Sequence, residues 1–394
     1  MANFKGKVAF VGIGEVPTGR HPDKAAIYHA IESAKQAIRD AGIDKDEIDY
    51  VMPTASLYSP AFNTELVTCR VVEELGLKNC KKNVQVFSGG SSSSNALGLA
   101  SNLIATGAAK CVLFVHTDRL GTGVNLQQGI DLFATAGISA EWEVPYGQHY
   151  SSIAALATTR YQYETGTTDE EMSAVCVSNR KWAELNPNAF FQKPLTIEEV
   201  MSSKMLSTPL RAKQSNMLFD GGAAFLLTSA ERAVDVTDTP VYVLGEGGTV
   251  THFVYSQEPD ISRFGWAKAG KAAFEEAGLT PQDIDVAEIY DSYPVYQIIG
   301  LEELGFCERG EAGKLFLNGD TWPGGKLPCT TNGGMLSQGH TGAGGAVALL
   351  VEAVRQLMGK AGDRQVQGAR YAVETATGGT YMDSQVTILG NQIP

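Results

Sequence analysis

The chain has 394 residues, 43% hydrophobic and 19% charged, a length beyond one hydrophobic core that implies two domains or two fused halves. This balance excludes a disordered chain, and no run of about twenty apolar residues suggests a membrane span. A formal charge of −13 argues against nucleic acid as a partner, because backbone phosphates require a basic face; a phosphorylated cofactor held by local bases stays open.

The N-terminus, Met1-Ala2-Asn3-Phe4-Lys5-Gly6-Lys7, lacks the apolar stretch and small-residue cleavage site of a signal peptide, so a cytoplasmic location is expected. A first strand fits Val8 to Val11, and a helical pattern then ends at Ala41-Gly42-Ile43-Asp44-Lys45-Asp46-Glu47-Ile48-Asp49. Val84 to Phe87 reads as a strand, Leu97 to Ile104 as an apolar helix, and Cys111 to Val115 as a further strand. Between about 117 and 215 the pattern loses regularity and reads as a long insertion packed over one half. Its densest cationic region runs from Arg180-Lys181 through Lys193, Lys204, Arg211 and Lys213; a solvated face accounts for it as well as a phosphate site does.

A strand at Val241 to Leu244 opens a second half. There a helical pattern ends at Ala277-Gly278-Leu279-Thr280-Pro281-Gln282-Asp283-Ile284-Asp285, which repeats the grammar of residues 41–49. A second correspondence follows. Gly90 precedes Ala96 by six residues and leads into Leu97 to Ile104, just as His340 precedes Ala346 by six and leads into Val347 to Val354. The alternation of strands with helices predicts an α/β architecture with mostly parallel central sheets. The expected halves are 1–236, including the insertion, and 237–394. Two glycine-rich helix N-termini should meet near a pseudo-two-fold axis, where free N–H groups suit an anionic oxygen.

Several stretches in order, Tyr161 to Thr168 (YQYETGTT), Arg180 to Ala189 (RKWAELNPNA), Asp220 to Ala224 (DGGAA), Glu288 to Tyr293 (EIYDSY), Leu304 to Gly310 (LGFCERG), Leu327 to Gly334 (LPCTTNGG), Gly339 to Gly342 (GHTG) and Arg364-Gln365-Val366, together resemble the thiolase superfamily. Within it the chain is similar to sterol-carrier-protein-type thiolases and their bacterial relatives. The resemblance spans nearly the whole chain. It implies two βαβαβ-type halves in a five-layered α/β/α/β/α body, a loop domain over the acyl-CoA, and a homodimer. By spacing, the family's nucleophilic cysteine corresponds to Gly90, its activating histidine to His340, and its second cysteine to the neighbourhood of Ala376, ahead of Gly378-Gly379. Both thiols are absent, and the residue that normally serves the thioester oxygen corresponds to Tyr290.

The resulting candidates for chemistry are Tyr290, as proton acceptor or donor, His340, as donor to an enolate oxygen, Asp291, as an orienting carboxylate for either, and Gly90 and Gly379. Coenzyme A, present as the substrate thioester, would be held by Arg180, Lys181, Lys213 and Ser337. A serine nucleophile at Ser91 or Ser92 would need an adjacent base and sits off the cysteine position. Three readings follow. A retro-aldol cleavage of a β-hydroxyacyl-CoA needs no thiol and is similar to the chemistry of thiolase-like aldolases that shorten steroid side chains and work with a small OB-fold, zinc-ribbon partner chain. Direct attack by coenzyme A, or use of a partner's thiol, is the second, and a non-catalytic acyl-CoA scaffold the third.

Other residues have plainer readings. Tyr293 and Tyr296 fit core aromatics, Tyr381 fits either the pocket or the core, and His116 and His149 fit packing near the loop domain. Cys69, Cys80, Cys111, Cys176, Cys307 and Cys329 show neither disulfide nor metal-ligand spacing, so no metal is expected in this chain.

Overall fold

The computed structural model describes residues 4–54, 67–134 and 137–394, so Met1 to Asn3 of the N-terminal stretch read above lie outside the described residues. The first half runs β1 (Val8–Glu15), α1 (Ala26–Ala41), β2 (Tyr50–Thr54), α2 (Val67–Leu75), β3 (Lys82–Asn83), α3 (Ser92–Ala105) and β4 (Cys111–Arg119). An insertion follows, with α4 (Leu126–Ala134), α5 (Tyr150–Thr165), α6 (Asp169–Ala183), α7 (Ile197–Met201) and a hairpin of β5 (Met205–Ser207) and β6 (Leu210–Arg211). The half closes with β7 (Asp220–Ser229) and α8 (Ala230–Val236). The second half runs β8 (Val241–Val250), α9 (Trp266–Ala277), β9 (Val286–Glu288), α10 (Pro294–Glu303), α11 (Ala312–Leu317), α12 (Gly334–Ser337), α13 (Val347–Leu357), β10 (Tyr371–Ala376) and β11 (Asp383–Gly390).

The repeated grammar has a common physical basis. Gly42 and Gly278 close α1 and α9 in the left-handed region, at φ 68° and 66°, where a Cβ would be strained. A single 3₁₀ turn then carries each chain into β2 or β9. The hydrogen-bonded strand order is β3-β2-β4-β7-β1-β8-β11-β10-β9. Read outward from the β1–β8 junction, β7, β4 and β2 on one side match β11, β10 and β9 on the other, which is the pseudo-two-fold relation expected of the two halves.

Two details differ from the sequence expectation. The sheet is mixed rather than mostly parallel: among the described residues β2–β3, β2–β4 and β9–β10 are parallel, while β4–β7, β7–β1, β1–β8, β8–β11 and β11–β10 are antiparallel. Crossover helices produce the parallel pairs, but β7 and β11 return without one and slot in antiparallel. The second difference is Val84 to Phe87, which continue beyond the short β3 without forming a strand. Val84 and Val86 still donate backbone N–H groups to Val51 and Pro53, at 3.3 and 3.2 Å.

Helices α3 and α13 pack against each other between the strands of the two halves, α1 covers the outer face of the first half, and α9 that of the second. Val8, Phe10, Phe114, Leu97, Val347 and Leu350 form the apolar centre of this stack. The insertion, although it leaves and rejoins the first half, buries Ile153, Tyr161, Met172 and Val175 in one core with Trp266, Tyr296 and Phe316 of the second. It therefore roofs the place where the glycine-rich segments meet.

Candidate active site

The two glycine-rich segments do meet. Ala346, at the entrance of α13, donates its backbone N–H to the Gly90 carbonyl, just before α3, at 3.3 Å. A Cβ added to Gly90 would lie 2.5 Å from the Thr377 carbonyl oxygen and 2.8 Å from the Tyr290 hydroxyl. The phenol thus stands in the space a residue-90 side chain would need, and Gly90 is what admits it.

Tyr290 follows β9 and is fixed by its backbone N–H, which donates to Thr375 Oγ1 at 2.9 Å. Only 6% of the residue is exposed. Burial first, then Tyr150, Asp291, Asp383 and Tyr293, push its ionisation above the ordinary phenol range, so the resting group is a neutral phenol. His340 sits in a short strand-like segment: its N–H donates to the Met217 carbonyl at 3.0 Å, and Phe219 N–H donates to its carbonyl at 2.9 Å. Its Nδ1 accepts the Gly342 N–H at 3.0 Å. A backbone amide can only donate, so the neutral ring carries its proton on Nε2, and burial, which lowers its pKa to about 4, keeps it neutral. Nε2 faces Gly345, where an added Cβ would lie 2.9 Å away. Among the described residues neither Nε2 of His340 nor the Tyr290 hydroxyl has a hydrogen-bond partner. Two neutral donors with free protons, both from the second half, are suited to an oxygen that becomes negative during reaction.

Asp291 is placed differently from either orienting role considered for it. Its carboxylate accepts Asn179 Nδ2 at 2.7 Å and the N–H groups of Met335 and Leu336 at 2.8 and 3.1 Å. It holds α12, and through α12 the segment leading to His340. Burial pushes its pKa up to about 7 against these bonds. Gly379, at φ 57°, lies on the β10–β11 loop, and its N–H is 3.0 Å from the Cβ position of Gly89. That loop also carries Tyr381 at φ 64°, a strained conformation for an aromatic residue. Stacking on Tyr296 at 3.7 Å and a 3.1 Å bond between its hydroxyl and Ser292 Oγ hold it there.

The four residues proposed for coenzyme A do not converge. Arg180 Nε donates to Ser337 Oγ at 3.1 Å and Nη1 to the Lys193 carbonyl at 2.8 Å. Lys181 lies 4.4 Å over the Trp322 ring, and Lys213 is exposed. Arg180 and Ser337 adjoin the His340 segment; Lys181 is committed elsewhere.

Sequence reasoning missed Asp383. Its carboxylate accepts Ser91 Oγ and Gly378 N–H, tying the start of α3 to the loop that carries Gly379, and it leaves Ser91 without a histidine partner. A lone aspartate opening a strand gave no signal for this. Among the described residues no group of three or more His, Cys, Asp or Glu could hold a metal, and no helix is long and apolar enough to cross a membrane.

Comparison with known proteins places this site in a family. Residues 247–391 match the thiolase C-terminal domain-like model. An acetyl-CoA acetyltransferase of Methanothermobacter thermautotrophicus is 32% identical over 95% of this chain and 96% of its own. This chain belongs to the thiolase superfamily. The thiolase-superfamily chain is also 29% identical to a steroid side-chain-cleaving aldolase of Thermomonospora curvata, over 90% of this chain and 92% of that one. Among solved structures, the Ltp2-ChsH2(DUF35) aldolase superposes with a TM-score of 0.86 at 28% identity, covering 99% of both chains. The chain is therefore a thiolase-fold enzyme, aldolase-like in sequence and shape.

Proposed function

We propose that the protein cleaves a carbon–carbon bond in a β-hydroxyacyl-CoA by a retro-aldol reaction, with no acyl-enzyme. The observation that carries this reading is the Tyr290 hydroxyl in the space beside Gly90. A covalent mechanism has lost its nucleophile, and a proton-bearing group stands in its place. His340 Nε2–H donates to the thioester oxygen as it becomes an enolate oxygen. Tyr290 serves as a relay: its oxygen takes the β-hydroxyl proton as its own proton passes to the α-carbon. The Cα–Cβ bond breaks, its electron pair goes to the enolate, and a ketone or aldehyde leaves with one acyl-CoA remaining. A relay suits a phenol of raised pKa, because no free phenolate forms.

Tyr293 and Tyr381, both almost fully buried, are the aromatic residues proposed to wall a bulky acyl chain. Arg180 and Ser337, which adjoin the His340 segment, are the residues proposed to meet coenzyme A. The reading includes a cytoplasmic homodimer that works with a small OB-fold, zinc-ribbon partner chain, and the structural relative whose printed name pairs an aldolase with a DUF35 chain supports that pairing.

Product analysis tests the reaction. The purified protein, alone and with its co-purifying partner, is incubated with a branched β-hydroxyacyl-CoA. One thioester and one carbonyl compound, formed without free coenzyme A, are expected. The corresponding β-ketoacyl-CoA is supplied in parallel with free coenzyme A, and its cleavage into two thioesters, with the β-hydroxyacyl-CoA left intact, would establish thiolysis instead, the activity closer to the acetyltransferase relative's name.

A further inference from the structure

Among the described residues the mechanism leaves two buried histidines unused, His29 and His116, and His116 is the one bonded to the segment that carries His340. His116 lies on β4, is 0% exposed, and points its Nε2 at the Thr341 carbonyl oxygen, 2.9 Å away. A carbonyl oxygen can only accept, so Nε2 carries the proton and Nδ1 is bare. Thr341 C=O and Gly342 N–H belong to the same peptide group, and that N–H donates to Nδ1 of His340 at 3.0 Å. The two imidazoles are thus joined end to end through a single peptide: His116 Nε2–H to oxygen, nitrogen–H to His340 Nδ1.

We propose that His116 is a positioning residue that sets the tautomer and orientation of His340 through this peptide. Donation to the carbonyl polarises the peptide and strengthens its N–H as a donor, as bonds in series do in a low-dielectric interior. With His340 Nδ1 occupied as an acceptor, its proton must sit on Nε2, the nitrogen that faces the site. Gly342, at φ 68°, supplies the left-handed turn that brings the N–H back onto the ring two residues earlier. Burial pushes both histidines down to about 4, so each is neutral and each has one defined donor.

A second observation separates this role from simple packing. Among the described residues, His116 Nδ1 is buried with no hydrogen-bond partner. A phenylalanine would fill much the same space without an orphaned acceptor, so the distinguishing property of histidine here is the single N–H aimed at Thr341. The other face of the ring lies against Gly344, where a Cβ would collide with it, so the ring and the loop fix each other in place.

The inference rests on the reading of His340 as the enolate-oxygen donor, and the test separates the two. The full-length protein, with any co-purified partner, is labelled with ¹⁵N-histidine. Its six histidines make the ring nitrogens resolvable, and the His340 signals are identified by their loss in His340→Phe. The wild type is expected to show His340 as a single Nε2–H tautomer. His116→Phe should shift it toward a mixture with Nδ1–H and lower kcat for acyl-CoA cleavage about 10-fold or more, with KM nearly unchanged. His116→Gln keeps an N–H near the Nε2 position and should restore both tautomer and rate. A wild-type His340 protonated on Nδ1 overturns the proposal, as does His116→Phe with unchanged tautomer and kcat. If His116→Phe does not fold, the wild-type nitrogen shifts and His116→Gln decide. Full turnover by His340→Phe, beside an intact Nε2–H signal in the wild type, would remove the catalytic reading and leave the link between the histidines standing.

Discussion

Replacing Tyr290 with phenylalanine removes one oxygen, and the surroundings of that oxygen set what should follow. Among the described residues it accepts and donates no hydrogen bond, its ring is buried, and the backbone bond to Thr375 Oγ1 does not involve the hydroxyl. Among the described residues no hydrogen bond is lost, only van der Waals packing around Gly90. Deleting a hydroxyl with no protein partner should change stability by no more than about 1 kcal/mol. Turnover should respond far more strongly. Loss of a positioned proton relay costs about 10²- to 10⁴-fold in kcat, equivalent to roughly 3 to 5.5 kcal/mol in activation free energy. The assay pairs a urea unfolding curve with release of the carbonyl product from a branched β-hydroxyacyl-CoA. A variant of nearly equal stability with kcat reduced at least a hundredfold fits the reasoning. Turnover within a few-fold of wild type refutes the relay, and a fall in activity matched by a fall in stability assigns Tyr290 to packing instead.

Gly90→Cys should not restore thiolysis, because its Cβ would meet the Thr377 carbonyl at 2.5 Å and the Tyr290 hydroxyl at 2.8 Å; a loss of about 1 to 3 kcal/mol in unfolding free energy is expected, and a stable acyl adduct on that cysteine would contradict the account. Asp291→Ala leaves the Met335 and Leu336 N–H groups without their acceptor and the Asn179 amide with only Gln297, so a loss of about 3 kcal/mol or more is expected by urea midpoint, with an unchanged midpoint as the refuting result. Glu374, pushed up to about 8 mainly by burial, holds a proton in the folded state that the unfolded chain releases near pH 4.5. Its contribution is therefore complete below pH 4.5 and lost as pH rises through 8, by on the order of 4 kcal/mol. Glu374→Gln should flatten that part of the stability–pH curve, and a variant with the wild-type slope would exclude it.

Much of this was legible in local sequence, where the physical cause is itself local. Gly42 and Gly278 end their helices by the same left-handed turn, and that short signal carries the two-half plan. Gly90 and His340 stood at matching offsets from their helices, and the structure joins their neighbourhoods by the Ala346 to Gly90 bond. What the sequence hid depends on distant residues. The antiparallel returns of β7 and β11 follow from the order in which strands find neighbours, which strand-length patterns do not encode. Asp291 and Asp383 owe their partners to chain separations of 44 and 292 residues. His116 was read as packing because its hydrogen-bond acceptor lies 225 residues away.

The shared core of the insertion and the second half has a consequence for biosynthesis. As the chain leaves the ribosome, Ile153, Tyr161, Met172 and Val175 emerge more than ninety residues ahead of Trp266 and still further ahead of Phe316, the residues they are buried with. Until those arrive, a nascent chain carries a helical segment with its greasy side uncovered. Such an intermediate is prone to self-association or chaperone capture, and production of the first 236 residues alone should yield an aggregating fragment rather than a soluble half-molecule.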